Sequence, residues 1–426
     1  MRAYVDSTYS IGYSRKKVES VLIIMTTIWF FVILNSYIVW NQLAPIIHLL
    51  PSCVIVLYTM SFFDCLIFSK DRRRVCLLMS VFMIWIILTL CDDFSEVIKR
   101  MTDYVPMLFV VFWPKELLLK TYLSIKKIII FFSIGSSVVT VLVLLGLHGY
   151  LPHFTLPARE ALHVRLGLVY NVYILFVTIF NPVTGIVTPR ACGMLQEPGH
   201  FAILLGLIYL IERTRKVIVN KWIIICGILT FSSAFILIVF FTDFYKLFSK
   251  SFFRKIVLFL LLFSVFSIIV YSYLPVEVKE QIEYLIYGRN LEQIIESFKT
   301  SSSLIGALDE RASDISVANY EKISFTEYLF GGGHVDKGFS LSDYRGMIID
   351  IGVMGMAFSI LLYLVIISSV SIRVKVSLSF VYLLIIIHRS WMLYDPYVYI
   401  LAFFVVVLCD YKILDRTCSN YSLSNA

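Results

Sequence analysis

The chain has 426 residues, of which 59% are hydrophobic and only 15% are charged, and its net charge is +8. Soluble domains are about 45–50% apolar and about 25% charged, so this composition excludes a soluble, disordered or collagen-like protein. Apolar runs of about 20 residues recur along the chain, which predicts a polytopic α-helical membrane protein, and the alternating segments of a transmembrane barrel are absent.

The positive charge lies in short clusters beside the apolar runs. Arg15–Lys17, Arg72–Arg74 and Arg213–Lys216 all flank predicted spans. This is the positive-inside pattern of cytoplasmic loops, and we do not expect a nucleic-acid partner. The eight cysteines include no C-x-x-C pair, so they predict neither a disulfide framework nor a zinc site.

The N-terminal region, residues 1–147, is predicted to hold five spans. Met1–Ser20 is polar for too long to be a cleavable signal peptide, so the first apolar run is expected to remain as a span that starts from the cytoplasm. The predicted spans are Val21–Trp40, Ala44–Phe68, Val75–Cys91, Tyr104–Leu119 and Ile128–Leu147.

The next region, residues 148–200, is predicted to stay on the outer side. Leu166–Ile186 is apolar enough to cross, but a crossing would place the basic cluster Arg213–Lys216 outside, against the positive-inside bias. Asn171, Pro182 and Gly185 also make this segment a poor regular span. We therefore predict a membrane-surface or re-entrant element, with protein or a wet cavity beside its backbone.

Residues 201–274 form the predicted central spans. Phe201–Ile211 crosses to the inside, where Lys221 and Lys246 both read as cytoplasmic although only Trp222–Tyr245 lies between them. That length allows about one crossing, so we predict a broken pair of short helices around Phe231–Ser233. A further span is predicted at Ile256–Leu274.

The C-terminal part contains a large outer loop, residues 275–346, and then membrane helices and a cytoplasmic tail, residues 347–426. Apolar residues at helical spacing between Val278 and Phe298 predict an amphipathic helix in the loop, lying over the membrane domain. The total is ten to twelve spans, with every long loop on one side. The last predicted spans are Ile348–Val370, Val376–Met392 and Tyr397–Leu408.

One outer segment carries the first candidate site. Pro198 suits the first turn of a helix, and Glu197 before it suits the N-cap, where a carboxylate meets free N–H groups. Arg190 then lies a few residues from a carboxylate, at the outer edge of the membrane. Its planar guanidinium could bind a diphosphate, or it could reach the interface and pair with Glu197.

The large loop carries the second set of candidates. Glu310 and Arg311 lie in an acidic stretch, and Gly331–Gly333 before His334 could form an anion-binding nest or a simple flexible turn. Asp343 precedes the returning span, and Asp350 near its start would be an intramembrane acid, which is costly and usually faces a cavity.

These residues resemble a known family. Arg190-Ala-Cys-Gly-Met-Leu-Gln-Glu-Pro198 resembles the Arg-x-x-Gly-x-x-x-Glu-Pro signature of bacterial O-antigen polymerases. Leu329–Gly333, with Asp343 and Asp350-Ile-Gly-Val-Met-Gly, resembles the end of the large periplasmic loop and the next span in that family. The sequence-specific part covers 190–206 and 310–355.

The resemblance implies an all-α, GT-C-like membrane glycosyltransferase in the bacterial inner membrane, without a metal or other cofactor. It would join undecaprenyl-diphosphate-linked oligosaccharides at the periplasmic face, in contact with membrane lipids and with a chain-length regulator. It implies Glu197, Asp343 or His334 as general base. The residues implied to bind the diphosphate or the substrate are Arg190, Arg311, Glu310 and His200.

Three alternatives stay open at this point. An O-antigen ligase of the same superfamily usually carries a His where this chain has Asp343-Tyr344. A flippase or transporter of lipid-linked sugars would carry charges inside its spans and paired halves, and no internal repeat is evident. A membrane scaffold would need none of these charged residues.

Overall fold

The computed structural model describes residues 2–34, 46–61, 69–91, 93–157, 167–183, 185–247, 320–332 and 344–409, together with Lys279. The predicted span Ile256–Leu274, the body of the predicted amphipathic helix at 278–298, and the tail after residue 409 lie outside the described residues.

The described chain is mostly helical, as the composition predicts. The helices in chain order are α1 Arg2–Ile33, α2 Ile46–Ser61, α3 Lys70–Leu90, α4 Phe94–Val110, α5 Lys115–Leu144, α6 Pro198–Thr214, α7 Lys221–Leu229, α8 Ser233–Leu247, α9 Phe325–Phe330, α10 Tyr344–Ile367, α11 Ile372–Arg389 and α12 Pro396–Leu408.

Among the described residues, three helices are long and apolar enough to cross a membrane: α3, α5 and α10. Shorter apolar helices occur at His48–Ser61, Ser233–Asp243 and Pro396–Leu408. These helices support a membrane-embedded helical protein, and the total of ten to twelve spans stays a prediction.

Two helices form the centre of the protein. In α6 every residue from Pro198 to Glu212 is buried, and α12 is buried over almost its whole length. A helix that is apolar all round is stable only when neighbours cover every face. The helices α5, α8 and α10 pack around this pair, so residues at the ends of α6 and α12 are held in a rigid core.

The predicted spans Tyr104–Leu119 and Ile128–Leu147 are wrong in their boundaries. The first is interrupted, because α4 ends at Val110 and α5 starts at Lys115, directly after Pro114. A proline before a helix disfavours helical geometry in the residue that precedes it, so the chain turns there. The helix α5 then continues without a break to Leu144, across the gap between the two predicted spans.

The prediction of an all-α fold is also wrong, because four strands between His153 and Thr188 form an antiparallel sheet. The strands are β1 His153–Pro157, β2 Val169–Tyr173, β3 Phe176–Asn181 and β4 Ile186–Thr188, in the order β1-β2-β3-β4. The β-branched and aromatic residues of β2 and β3 fit a sheet. The segment Leu166–Ile186 is therefore not a helical span, in agreement with the reason for keeping it outside.

The sheet packs against the second half of α5. The Phe176 ring lies where a Cβ on Gly135 would stand, at 1.9 Å, and it contacts Phe132 edge-on with centroids 5.9 Å apart. The Val177 N–H donates to the carbonyl of Gly193 at 2.9 Å. The sheet thereby fixes the segment that leads from β4 into α6.

The broken helix pair around Phe231–Ser233 is confirmed. The short helix α7 stops at Leu229, Phe231 adopts a positive φ of 47°, and α8 begins at Ser233. Arg213, at the end of α6, forms an ion pair with Asp243 of α8, with 2.9 Å between Arg213 Nη2 and Asp243 Oδ1. The helix α8 therefore runs parallel to α6, and α7 and α8 form a hairpin whose two ends lie at one end of α6.

The helix α10 is kinked at Gly352, where φ is 68° and ψ is 172°. The turn after α9 packs into this kink backbone against backbone: a Cβ on Gly352 would lie 2.4 Å from the Leu329 carbonyl oxygen. On the other side, the Trp85 indole N–H donates to the Ile351 carbonyl at 2.8 Å. Glycine is required here both by the dihedral angle and by the contact.

We predict that Gly352→Ala lowers the free energy of unfolding by at least about 3 kcal/mol, since it combines a left-handed backbone with a backbone clash. Gly332→Ala is the matched control. Gly332 also has a positive φ but has open space around it, so the cost should be about 1–2 kcal/mol. Thermal unfolding in detergent measures both, and equal losses would contradict the role of the backbone contact.

Candidate functional site

The Arg190 side chain closes the apex of the α7–α8 hairpin. Its Nε donates to the Thr230 carbonyl at 2.9 Å and its Nη2 to the Phe231 carbonyl at 3.2 Å. The next residue, Ala191, donates its N–H to the Leu229 carbonyl at 3.0 Å. These carbonyls end α7, where the helix dipole is negative, so a cation there is favourable.

This arrangement gives Arg190 a structural role that the sequence did not suggest. The residue is 8% exposed, and the contacts that hold it in place are made with the hairpin. The sequence suggested two possible partners for Arg190, a diphosphate and Glu197. Diphosphate binding by Arg190 stays a prediction.

The predicted N-cap position of Glu197 is confirmed, but its carboxylate is paired with a residue that the sequence did not suggest. Glu197 is the N-cap residue of α6 and Pro198 is the first helical residue, yet the side chain makes no capping hydrogen bond. Its carboxylate instead forms an ion pair with Arg389, at the end of α11. Gly199 permits this pair, because a Cβ there would lie 2.8 Å from the Arg389 Nη2 atom.

His200, one residue further into α6, is buried against the chain that joins α11 to α12. Its Nε2 lies 2.6 Å from the Tyr397 hydroxyl. The Trp391 ring meets the imidazole nearly at a right angle, with centroids 4.6 Å apart. Glu197 and His200 are thus brought together, and each has its partner in the segment 389–397.

Asp350 joins the same segment from α10. The Tyr394 hydroxyl donates to Asp350 Oδ2 at 2.9 Å, and the Tyr394 carbonyl accepts a hydrogen bond from the Tyr104 hydroxyl at 2.7 Å. Arg100 and Asp395 form an ion pair of 3.5 Å beside it. The predicted intramembrane acid therefore lies in a hydrogen-bonded cluster of several helices.

Of the two alternatives for Gly331–Gly333, an anion-binding nest and a flexible turn, the nest is contradicted for the first two residues. Gly331 and Gly332 both have positive φ, but their N–H groups donate to the carbonyls of Glu327 at 2.7 Å and of Asp350 at 3.2 Å. Those donors hold the end of α9 on the kink of α10. Gly333 lies outside the described residues.

Four predicted site residues also lie outside the described residues: Glu310, Arg311, His334 and Asp343. Of the predicted set, Arg190, Glu197 and His200 are described, and all three are buried near the start of α6. In the part of the chain that the structure describes, no three His, Cys, Asp or Glu residues are grouped to hold a metal ion. The absence of a cofactor stays a prediction.

Sequence reasoning missed Arg389, Trp391, Tyr394 and Arg100. A usable signal was present: Arg100 and Arg389 lie near the predicted outer ends of their helices, where the positive-inside rule disfavours basic residues. Each is paired with a carboxylate, Arg100 with Asp395 and Arg389 with Glu197. Basic residues that break the rule are therefore candidates for a buried site.

The comparisons with known proteins add no family. No family model matches the chain, no curated protein is significantly similar to it, and no solved structure significantly matches its fold.

We predict that Arg190→Leu lowers the free energy of unfolding by about 2–4 kcal/mol, because it leaves two buried carbonyls without donors. Arg74→Leu is the control, since Arg74 is a mostly exposed arginine and its loss should cost no more than about 0.5 kcal/mol. Denaturant unfolding in detergent compares the two variants. Equal costs would show that Arg190 does not support the hairpin.

A second prediction concerns Asp395, in the turn between α11 and α12. Burial raises the pKa of its carboxyl to about 6, although Arg100 opposes the shift and Asp103 adds to it. From about pH 4 to about pH 6 the folded protein keeps a proton that the unfolded chain has lost. This group therefore lowers the free energy of unfolding as the pH rises through that window.

The variant Asp395→Asn should lack this contribution. The melting temperature of the wild type relative to the variant should fall between pH 4 and pH 7, and thermal scans at several pH values measure the difference. A difference that is constant or rises with pH would contradict a raised pKa.

Proposed function

We propose that this protein is a membrane-embedded O-antigen polymerase of the bacterial inner membrane. It transfers a glycan from undecaprenyl diphosphate to the sugar of another lipid-linked repeat unit at the periplasmic face. The proposal rests on the signature Arg190–Pro198 together with one observation: Arg190, Glu197 and His200 are all buried, Glu197 and His200 at the start of the central helix α6 and Arg190 against the apex of the α7–α8 hairpin. Charged and polar groups are rarely kept at such a position without a functional reason.

The chemistry of the cluster suits a diphosphate leaving group. In the transfer, the acceptor hydroxyl oxygen forms the new bond to the sugar C1, and the bond from C1 to the diphosphate oxygen breaks. Negative charge grows on the diphosphate, and guanidinium groups stabilise it electrostatically. We assign this task to Arg190 and to Arg311 of the large loop, joined by Arg389, and Arg190 also holds the segment before α6 on the α7–α8 hairpin.

The proton of the acceptor hydroxyl must go to a base. Glu197 and Asp343 remain the proposed bases, with His334 as a third candidate. Glu197 is paired with Arg389. Binding of a diphosphate to Arg389 would therefore release the Glu197 carboxylate to accept the proton of the acceptor hydroxyl. His200 and Glu310 are assigned to substrate binding.

The finer features of the proposal follow from the same resemblance. We propose a GT-C-like arrangement, chemistry without a metal, the large loop 275–346 as a periplasmic cover, and a chain-length regulator as protein partner. An O-antigen ligase is a weaker alternative, because Asp343-Tyr344 stands where ligases usually carry a His.

A transporter or flippase of lipid-linked sugars is the second candidate function. One observation favours it: α7 and α8 are short helices that reverse at a buried turn, and broken helices line substrate sites in many transporters. Against it, no internal repeat is evident in the sequence, whereas many transporters are built from paired halves.

We predict that Glu197→Gln and Asp350→Asn each reduce the polysaccharide ladder of the host at least tenfold and leave a single-repeat band. The reason is that each removes a carboxylate that is tied to the segment 389–397, Glu197 through Arg389 and Asp350 through Tyr394. Gel analysis of surface polysaccharide measures the ladder, and immunoblotting checks that protein levels are normal. Asp71→Asn is the control, because the Asp71 side chain is 65% exposed on α3 and its loss should leave the ladder unchanged.

The other outcomes separate the alternatives. Loss of all surface glycan with polymer accumulating on the lipid indicates a ligase. Loss of every lipid-linked repeat from the periplasmic leaflet indicates a flippase. A normal ladder in both variants, at normal protein levels, contradicts the proposed site.

A further inference from the structure

A second buried charge cluster lies at the opposite end of α6 and has no part in the proposed reaction. Glu212 is fully buried and accepts three hydrogen bonds. Its carboxylate oxygens lie 2.6 Å from the Tyr122 hydroxyl, 2.5 Å from Lys126 Nζ and 3.3 Å from Arg215 Nη1. The Arg215 guanidinium also lies over the Tyr122 ring, 5.7 Å from its centroid.

This cluster holds more positive than negative charge. One carboxylate faces two cations, and Arg215 is 4% exposed. Its Nε has no acceptor in the described part of the chain. The neighbouring carboxylate of Asp243 is taken by Arg213 and by the Tyr209 hydroxyl. A buried cation that is only partly compensated is costly, so an external anion near it is favourable.

The surface around the cluster adds further lysines. Lys127 follows Lys126 on α5, and Lys216 and Lys221 bracket the connection between α6 and α7, and all three are exposed. Lys216 has a positive φ of 58°. Its N–H donates to the Arg213 carbonyl at 3.2 Å, and the Val217 N–H donates to the Glu212 carbonyl at 3.0 Å. This C-terminal cap turns the chain sharply and fixes the direction of the connection.

The same connection presents an apolar side chain between its lysines. Ile218 is 91% exposed. Lys221 lies over the Trp222 ring, with its Nζ 5.8 Å from the ring centroid. A Trp with flanking lysines is typical of the boundary between lipid tails and headgroups, where the phosphates of the lipids lie.

We propose that this end of α6 binds the phosphate of an anionic phospholipid. The phosphate is held by Lys126, Lys216 and Lys221 and neutralises the excess charge of the Arg215–Glu212 cluster, while Ile218 contacts the acyl chains. Basic pockets between membrane helices bind anionic headgroups by this combination of charges. Because Arg213 ties α8 to α6 at the same end, the lipid also stabilises the base of the α7–α8 hairpin.

The test uses the full chain in nanodiscs of phosphatidylglycerol or of phosphatidylcholine. Native mass spectrometry measures which lipid stays bound, and thermal scans give the melting temperature. We expect phosphatidylglycerol to be retained preferentially and to raise the melting temperature. The variant Lys216→Gln/Lys221→Gln should reduce the preference about 25-fold, since each lysine near a phosphate contributes a factor of about five.

Two controls make the result decisive. Lys99→Gln removes an exposed lysine near the opposite end of the protein and should leave the lipid preference unchanged. In phosphatidylcholine the double variant should melt like the wild type, which shows that its fold is intact. If it does not, the single variant Lys221→Gln replaces it, with an expected reduction of about fivefold.

Inorganic phosphate, added to protein in phosphatidylcholine, distinguishes the two sources of the anion. We expect it to change the melting temperature by less than phosphatidylglycerol does. An equal increase that the double variant abolishes would identify free phosphate as the ligand and overturn the lipid assignment. An unchanged lipid preference in the double variant, or an equal loss in Lys99→Gln, would also overturn it.

Discussion

A helix that ends inside an apolar core leaves carbonyl groups that neither water nor lipid can satisfy. This constraint organises the centre of the protein. Arg190 and Ala191 satisfy the end of α7, which allows the chain to reverse at 230–232 without reaching the far surface. Arg72 acts in the same way at the end of α4, where its Nη1 donates to the Trp113 carbonyl at 2.6 Å while the guanidinium lies over the Phe403 ring. Two buried arginines thus make helix ends compatible with the interior.

The two ends of α6 differ in the balance of their charges. At its start, Glu197 and Asp350 are each tied to the segment that joins α11 to α12, by Arg389 and by Tyr394. At its other end, Glu212 faces two cations and is surrounded by lysines. The cluster at the start of α6 suits the proposed transfer reaction, in which negative charge grows on a diphosphate. The cluster at the other end suits the proposed binding of a phospholipid phosphate. Because α6 is buried and rigid over its whole length, it holds both clusters in a constant relation.

The sequence predicted what depends on local pattern and missed what depends on distant contacts. The helix start at Pro198 followed from residue type. The break near Phe231 followed from the length of the segment between Lys221 and Lys246, which allows only about one crossing. The sheet was missed, because a run of apolar residues from 166 to 186 has the length of a span, and its strand character shows only in its β-branched and aromatic residues. The pair Glu197–Arg389 joins residues far apart in the chain, and no local spacing encodes it. The start of α5 at Lys115 could have been predicted from Pro114.

The most direct test of the account is the sidedness of the two ends of α6, measured by cysteine labelling with a reagent that does not cross membranes. Single cysteines at Val183, 87% exposed before β4, and at Lys221, exposed at the start of α7, would be introduced into a background without other cysteines. We predict that Val183→Cys is labelled from outside in intact spheroplasts, and that Lys221→Cys is labelled only after the membrane is permeabilised. Labelling of both positions from the same side would contradict the path of α6 and the two sites built at its ends.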